Sequence, residues 1–475
     1  MALDARGADL LAQSVRLMDG RYDDRAALIR SLSGNGPSPH LVRESALYAV
    51  GLLMRDHTGD RDRAARILDA VLRQQIYEPE ERWHGTFYKF AEDRHPPRTA
   101  RLWTDYDPNW REFIGTTFQV ILTRFRDRIP KELAARMEKS IVLALEGEIH
   151  EARLKPSYTN IALMYGAIAD YAGNRLNRPD LARRAAAWTE SVYREFKEHG
   201  AFPEFNSPTY YGPDLFGLAM WRAHGSTPRM RAIGAEMEAT LWRSIAAFYH
   251  AGLRNMSGPY DRSYGMDMRR YVSVTGLLLR TVLDAEQAPF PPFEIGVDHA
   301  NDLPYLPLTL AEPTQIPAGA MESFRSFQGE RLVRQAITST RVATAWIGAD
   351  YMYGGESTSM TRDALEPDGQ FHAATAHWRL PDGDVGWIRL LRAPRLDATA
   401  SREGLSISCT GDMTFRIHAP GAAASAIQRN HWTLPGLFVQ VYTDATGAET
   451  SAGDDHVDIV YHDMTRLTLR FATAK

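Results

Sequence analysis

The sequence predicts a chain built α then β. An N-terminal α/α toroid, incomplete or of the six-hairpin type, is expected over residues 1–286, and a C-terminal antiparallel β-sandwich domain over 321–475. A proline-rich linker at 287–320 joins them. Three observations predict this. Up to about Ala285, apolar residues recur at spacings of three and four, the period of a helix with one buried face. After Met321 the period becomes two, with β-branched residues in alternation. Between them stand Pro289, Pro291, Pro292, Pro304, Pro307, Pro313 and Pro317. Proline removes backbone donors and fixes φ, so this stretch reads as an extended crossing segment.

The helical period is clearest at Ala64–Arg73, Phe113–Phe125, Leu133–Leu145, Ile161–Tyr171, Asp180–Phe196, Leu215–Arg222, Met230–Tyr249 and Tyr271–Val282. Asn109 and Asp180 stand where helix N-caps are expected, and Pro130 suits a first turn. No residue-level repeat is visible. Paired helices of this length suit a ring around a central cleft, with loops at one end forming a groove. In the second domain, alternation marks Leu332–Ile347, Phe371–Leu380, Val385–Leu391, Leu405–Ile417, Leu437–Tyr442 and Val457–Tyr461, and Pro381-Asp-Gly-Asp384 marks a turn.

Composition excludes several classes. The chain has 475 residues, 44% hydrophobic and 24% charged, with a net charge of -4. No global basic field is present to draw in nucleic acid or an anionic membrane. The single cysteine, Cys409, excludes an internal disulfide and a thiolate metal cluster. No apolar run approaches the roughly 20 residues of a membrane span. Met1-Ala-Leu-Asp-Ala-Arg6 lacks a basic-then-apolar leader, so a cytoplasmic location is expected. Phosphate-loop, dinucleotide, HExxH and GxSxG motifs are absent, and neither cofactor nor metal is expected. The oligomeric state is left open.

Polar and aromatic residues crowd into a few loops, where a core would have no use for them. Trp103 to Gly115 offers Trp103, Tyr106 and Trp110 as flat faces for a sugar ring, with Asn109 beside them. Asn160 follows Pro156-Ser-Tyr-Thr, either as a cap or as an amide aimed into the cleft. Gly200 to Asp214 is a rigid loop carrying Glu204, Asn206, Ser207, Tyr210 and Tyr211. Asn255 to Arg270 mixes Tyr260, Asp261, Arg262, Tyr264, Asp267, Arg269 and Arg270, whose guanidinium forks suit a carboxylate. In the β region, His372 and His377 are expected on opposite faces of a strand, with His377 a further substrate contact.

On these segments the chain resembles the polysaccharide lyases that pair an α/α toroid with an antiparallel β domain. That group includes chondroitin AC, hyaluronate, xanthan and alginate lyases and the heparinase II/III type. Ser207-Pro-Thr-Tyr210, preceded by Glu204, resembles a Glu-Xaa-Ser-Pro-Xaa-Tyr stretch whose tyrosine is catalytic, with one more residue between Glu and Ser. Asn160 resembles the neutralising asparagine. Asn109-Trp110 with Ile114-Gly115 resembles the segment that lines the cleft. The histidine often found beside the asparagine or the tyrosine has no counterpart there, and Asn206 stands near its place.

The resemblance implies β-elimination on an acidic oligosaccharide or polysaccharide. Tyr210 would be base and acid, with Tyr211 and Tyr264 next in line, while Asn160, Asn206 and Arg262 would neutralise the uronate carboxylate. Trp110, Asn109, Glu204, Tyr211, Tyr260, Arg269 and His377 would contact substrate. Tyrosine can act this way if a nearby cation lowers its pKa from about 10. Two other readings are open. An α/α-toroid glycoside hydrolase would use Glu204 and Asp261, with Asp107 or Asp267 as substitutes. A non-catalytic carbohydrate-binding scaffold would bind without turnover.

Overall fold

A computed structural model describes residues 3–34, 38–365 and 369–474. Twelve α-helices lie among these residues. The first six are α1 (Ala5–Asp19), α2 (Val42–Arg55), α3 (Asp60–Leu72), α4 (Trp110–Arg124), α5 (Lys131–Glu151) and α6 (Thr159–Arg175). The others are α7 (Pro179–His199), α8 (Tyr211–His224), α9 (Pro228–Phe248), α10 (Val274–Val282), α11 (Tyr305–Ala311) and α12 (Ala318–Arg325). Their sequences sort them into two kinds. In α6 every residue from Thr159 to Gly173 is buried, and in α8 every residue from Tyr211 to Trp221. Helices apolar all round belong inside. By contrast, α7 buries only Leu181, Ala185, Thr189, Val192, Tyr193 and Phe196, one stripe at helical spacing.

Contacts follow the same division. α2, α4, α6, α8, α10 and α11 touch neighbour to neighbour in a closed circuit, α11 returning to α2. α3, α5, α7 and α9 each pack outside the inner helix that precedes them. Close approach depends on glycine at two crossings. A Cβ on Gly166 of α6 would lie 2.6 Å from the Trp221 ring of α8, and one on Gly212 of α8 would lie 2.5 Å from the Val274 backbone of α10.

The stretch expected as an extended linker is in part helical and packed. α11 is buried along its whole length and completes the inner circuit. Pro304 and Pro317 occupy the cap positions of α11 and α12, and Pro307 lies in a first turn, where a missing N–H costs nothing. The expected caps also shift. Asn109 precedes α4 but makes no capping bond. Asp180 lies inside the first turn of α7, where it accepts from Arg178.

The C-terminal strands are β1 (Arg331–Ala336), β2 (Val342–Ile347), β3 (Tyr351–Ser357), β4 (Ala374–Arg379), β5 (Val385–Arg392) and β6 (Asp397–Ser401). They continue as β7 (Gly404–His418), β8 (His431–Leu434), β9 (Leu437–Thr443), β10 (Gly447–Ala452) and β11 (Val457–Thr473). All join one antiparallel sheet in the order β8-β9-β11-β7-β5-β4-β3-β2-β1, with β10 on β11. β6 pairs with β7 along its length and with β3 at Asp397–Ser357, so the sheet curls back on itself. Alternate residues such as Trp378, Ile388, Phe415, Ile459 and Tyr461 fill the inside of the curl.

The two regions meet along residues 257–263. Tyr260 and His372 exchange backbone bonds of 3.0 and 2.8 Å, Ser263 N donates to Gln370 O, and Gly258 N donates to Thr375 Oγ1. A Cβ on Gly354 of β3 would stand 1.8 Å from the Gly258 carbonyl oxygen, so that strand can carry only glycine there.

Candidate active site

A cavity of about 860 Å3 opens at one end of the helix circuit. Every inner helix contributes its first turn or the residue before it: Arg43 of α2, Trp110 of α4, Asn160 of α6, Tyr210 ahead of α8, Val274 of α10 and Tyr305 of α11. Helix N-termini carry unpaired N–H groups and a partial positive charge, and Arg43, Lys89 and Arg262 line this end of the ring beside the carboxylates Glu44, Asp107, Asp298 and Asp302.

Two loops set the tyrosine and arginine side chains of the cavity wall. Asn206 stands at φ 51°, a left-handed position that asparagine tolerates, and its amide donates to Ser257 O at 2.7 Å and Pro259 O at 2.8 Å. Asp261 N donates to Phe205 O, and Ser207 Oγ to Arg262 O at 2.5 Å. These bonds zip residues 205–207 to 257–262 and bring Tyr210 beside Tyr264. The two hydroxyls lie 2.5 Å apart. Arg262 Nη2 donates to the Tyr210 hydroxyl at 2.7 Å, and its guanidinium carbon stands 4.0 Å from the ring centre.

Arg262 is itself held by two further side chains. Nη1 donates to Glu204 Oε1 at 2.6 Å, Nε to Gln370 Oε1 at 2.8 Å, and Thr159 Oγ1 fixes the other Glu204 oxygen. Burial works against the guanidinium charge, but Tyr210 and Glu204 outweigh it and push the pKa upward. For Tyr210 the result differs from the expectation. Burial raises its pKa, the neighbouring Tyr264 adds to the rise, and Arg262 only partly opposes them. Its surroundings therefore favour the neutral phenol over the phenolate.

A histidine from a distant segment also reaches the cavity. His299 lines the cavity and stacks on Tyr264, with ring centres 4.3 Å apart and planes 6° apart. It lies in the proline-rich stretch and stands at φ 58°. No signal in its own segment marked it; the pairing of Asp298 with Tyr271 and the bond from Val272 N to Asp298 O bring it in.

The chain belongs to a family described as a domain of unknown function (DUF8769). The DUF8769 match covers residues 8–312, which takes in all six inner helices and every residue that lines the cavity. No curated protein matches the chain. Among solved structures, a crystal structure of heparinase III is similar at 10% identity, with a TM-score of 0.47 over 100% of this chain and 85% of that chain. A second heparinase III structure has 11% identity and a TM-score of 0.30, over 91% and 78%. Endoglucanase CelQ from Clostridium thermocellum, complexed with cellotriose, has 10% identity and a TM-score of 0.25, over 99% and 93%.

Within the DUF8769 region the cavity gathers Asn109, Trp110, Asn160, Tyr210, Arg262 and Tyr264 from four separate segments. Asn109 Nδ2 donates to Tyr158 OH at 3.2 Å, and its Oδ1 accepts from Arg153 at 2.9 Å. Arg153 belongs to a buried network with Arg111, Glu148 and Glu151. Asn160 Nδ2 has only a 3.5 Å contact with Thr159 Oγ1, so its amide is little used by the protein. Trp110 lies under the Arg43 guanidinium at 4.7 Å.

Other expected residues are placed elsewhere. Asn206 does not line the cavity; both amide hydrogens are spent on the loop zipper. Tyr211 is fully buried, its hydroxyl accepting from Asn206 N. The buried Tyr260 hydroxyl bonds Met256 O. Arg269 is bound by Asp267 and Asp384 and faces a different cavity. His377 is buried and bonds Met266 O at 2.8 Å. His372 and His377 are not on opposite sides. His372 precedes β4, and both rings stand 6.3 Å from Tyr260. Glu204 serves Arg262 from behind the wall. Asp261 is bound to Arg341 and Arg362, so neither carboxylate of the expected hydrolase pair reaches the cavity. Of the substitutes, Asp107 lines it, with its pKa raised by burial, whereas Asp267 is tied to Arg269. Among the described residues, no cluster of three or more histidine, cysteine or acidic side chains is placed to hold a metal.

Proposed function

We propose that this chain is a lyase that cleaves a uronic-acid-containing poly- or oligosaccharide by β-elimination. We read the closed helix circuit as an α/α toroid and the curled sheet as a two-layered sandwich packed beside it. One observation carries the reading: the Tyr210 hydroxyl is held between Tyr264 and Arg262 on the wall of a cavity where helix N-termini converge.

The C5 proton of a uronate is weakly acidic because the carboxylate beside it can take up charge. Asn160 and Arg262 are the donors that stabilise that charge as the proton leaves. His299 takes the proton, directly or through Tyr264, on which it stacks. The C5–H electrons form the C4–C5 double bond and the C4–O4 bond breaks. Tyr210, neutral and bonded to Arg262, gives its proton to O4. Trp110 and the half-exposed Trp103 offer faces for sugar rings.

The test is a screen of uronate polymers and oligomers read by ultraviolet absorbance, which rises when elimination creates a conjugated double bond. Turnover that vanishes in Tyr210→Phe supports the proposal. New reducing ends without absorbance, unaffected by Tyr210→Phe, would mark hydrolysis and overturn it. Saturable binding without any product would mark a scaffold.

A further inference from the structure

A second cavity, of about 640 Å3, is separate from the first. Its wall combines Arg254, Arg269, Arg270 and Arg280 with two carboxylates, Asp384 and Glu294. Asp384 lies in the turn between β4 and β5 and is already bound by both Arg269 and Arg270. Arg269 also grips Asp267. Glu294 is exposed at the rim. Arg254 and Arg280 make no ion pair among the described residues. Arg254 Nη1 donates to Glu286 O at 3.0 Å, and Arg280 Nη1 to Leu283 O at 3.1 Å. Each therefore keeps guanidinium donors free, in a wall where positive charge exceeds negative. Burial lowers the pKa of both, and a neighbouring arginine adds to the effect: Arg269 for Arg254 and Arg6 for Arg280. Arg254 also sits at φ 52°, a backbone position long side chains rarely adopt.

We infer that this cavity is a second binding site, for a tetrahedral dianion such as a phosphate or sulfate group, held between the Arg254 and Arg280 guanidinium forks. A planar fork presents paired N–H donors at the spacing of two such oxygens. The volume suits a small ligand rather than a macromolecular surface. Nothing in the elimination chemistry calls on this site, so it stands whether or not that reading holds.

The experiment uses the full chain and measures melting temperature against inorganic phosphate, inorganic sulfate, and sodium chloride at matched ionic strength. A saturable rise in phosphate or sulfate, absent in chloride, is expected. A rise with one oxyanion alone supports the site and names its group. The double variant Arg254→Gln, Arg280→Gln should bind about tenfold more weakly or worse, since each loses a charge-assisted bond. Arg262→Gln should respond as the parent does. No saturable rise, an unchanged response in the double variant, or loss of the response in Arg262→Gln would overturn the inference. Should the double variant fail to fold, phenylglyoxal labelling of the parent decides. Phosphate or sulfate must protect Arg254 and Arg280, read by peptide mass, and absence of protection overturns the site.

Discussion

Tyr210 and Asn206 stand four positions apart in one loop and do different work. Tyr210 presents its hydroxyl to the cavity, while Asn206 turns inward and joins its loop to the 257–262 segment. Tyr210→Phe should therefore lower turnover of a uronate substrate by about 10²–10⁴-fold, the range for losing a positioned proton donor, with the melting temperature little changed. Asn206→Ala should show the reverse emphasis. It leaves the Ser257 and Pro259 carbonyls unpaired, which costs about 1–3 kcal/mol for each, read as a fall in unfolding free energy in urea. Sequence marked both residues, because each is a polar side chain in a proline-rich loop. It could not say which faced the ligand, since facing depends on the 257–262 segment that lies against them. His299 stayed hidden for a different reason: it lies between Asp298 and Ala300 with no aromatic beside it in sequence, and its stacking partner Tyr264 comes from a distant segment.

At the scale of elements, the site is a property of helix starts. Six inner helices bring their first turns to one rim, so a small shift between neighbours moves the cavity wall. Gly166 fixes one such spacing, because α6 and α8 approach until only a hydrogen fits against the Trp221 ring. Gly166→Ala should cost about 1–3 kcal/mol in unfolding free energy through overpacking. It should also raise the substrate concentration needed for half-maximal turnover, because Asn160 and Tyr210 sit on the two helices that are pushed apart. Four of the inner helices, α4, α6, α8 and α10, were legible as helices from their period, whereas α2 was not singled out and α11 fell in the expected linker. Their ranking as inner shows in the all-round burial of α6 and α8, which an unbroken apolar run such as Ile161–Tyr171 already hints at. The proline-rich stretch misled because proline opens a helix as readily as it prevents one. Pro304 and Pro317 do the former.

Over the whole molecule, the sheet region holds the loop that carries Arg262 and Tyr264. His372 Nε2 donates to Ser263 O at 3.1 Å and His377 Nε2 to Met266 O at 2.8 Å. Burial pulls their pKa values down from 6.5, to about 3 for His372 and about 4 for His377. A histidine whose folded pKa is depressed contributes stability that is complete above 6.5 and is lost as pH falls towards the folded values. The melting temperature should therefore decline from about pH 6.5 towards pH 4, and His377→Gln, which keeps a donor but cannot take the proton, should flatten that decline. A parent melting temperature that holds constant over the interval would refute the assignment. The order α then β was legible in the change of period. The curl that pairs β6 with β3 was not, because pairing between strands far apart in sequence leaves no local trace. The clamp on residues 257–263 also bears on biosynthesis. A chain made from its N-terminus exposes Tyr210 and Tyr264 to solvent about a hundred residues before His372, Thr375 and His377 leave the ribosome. The bonds from His372, Thr375 and His377 are the last to reach that loop, so a chain ended before them would carry every cavity-lining side chain but lack the sheet's hold on residues 257–263.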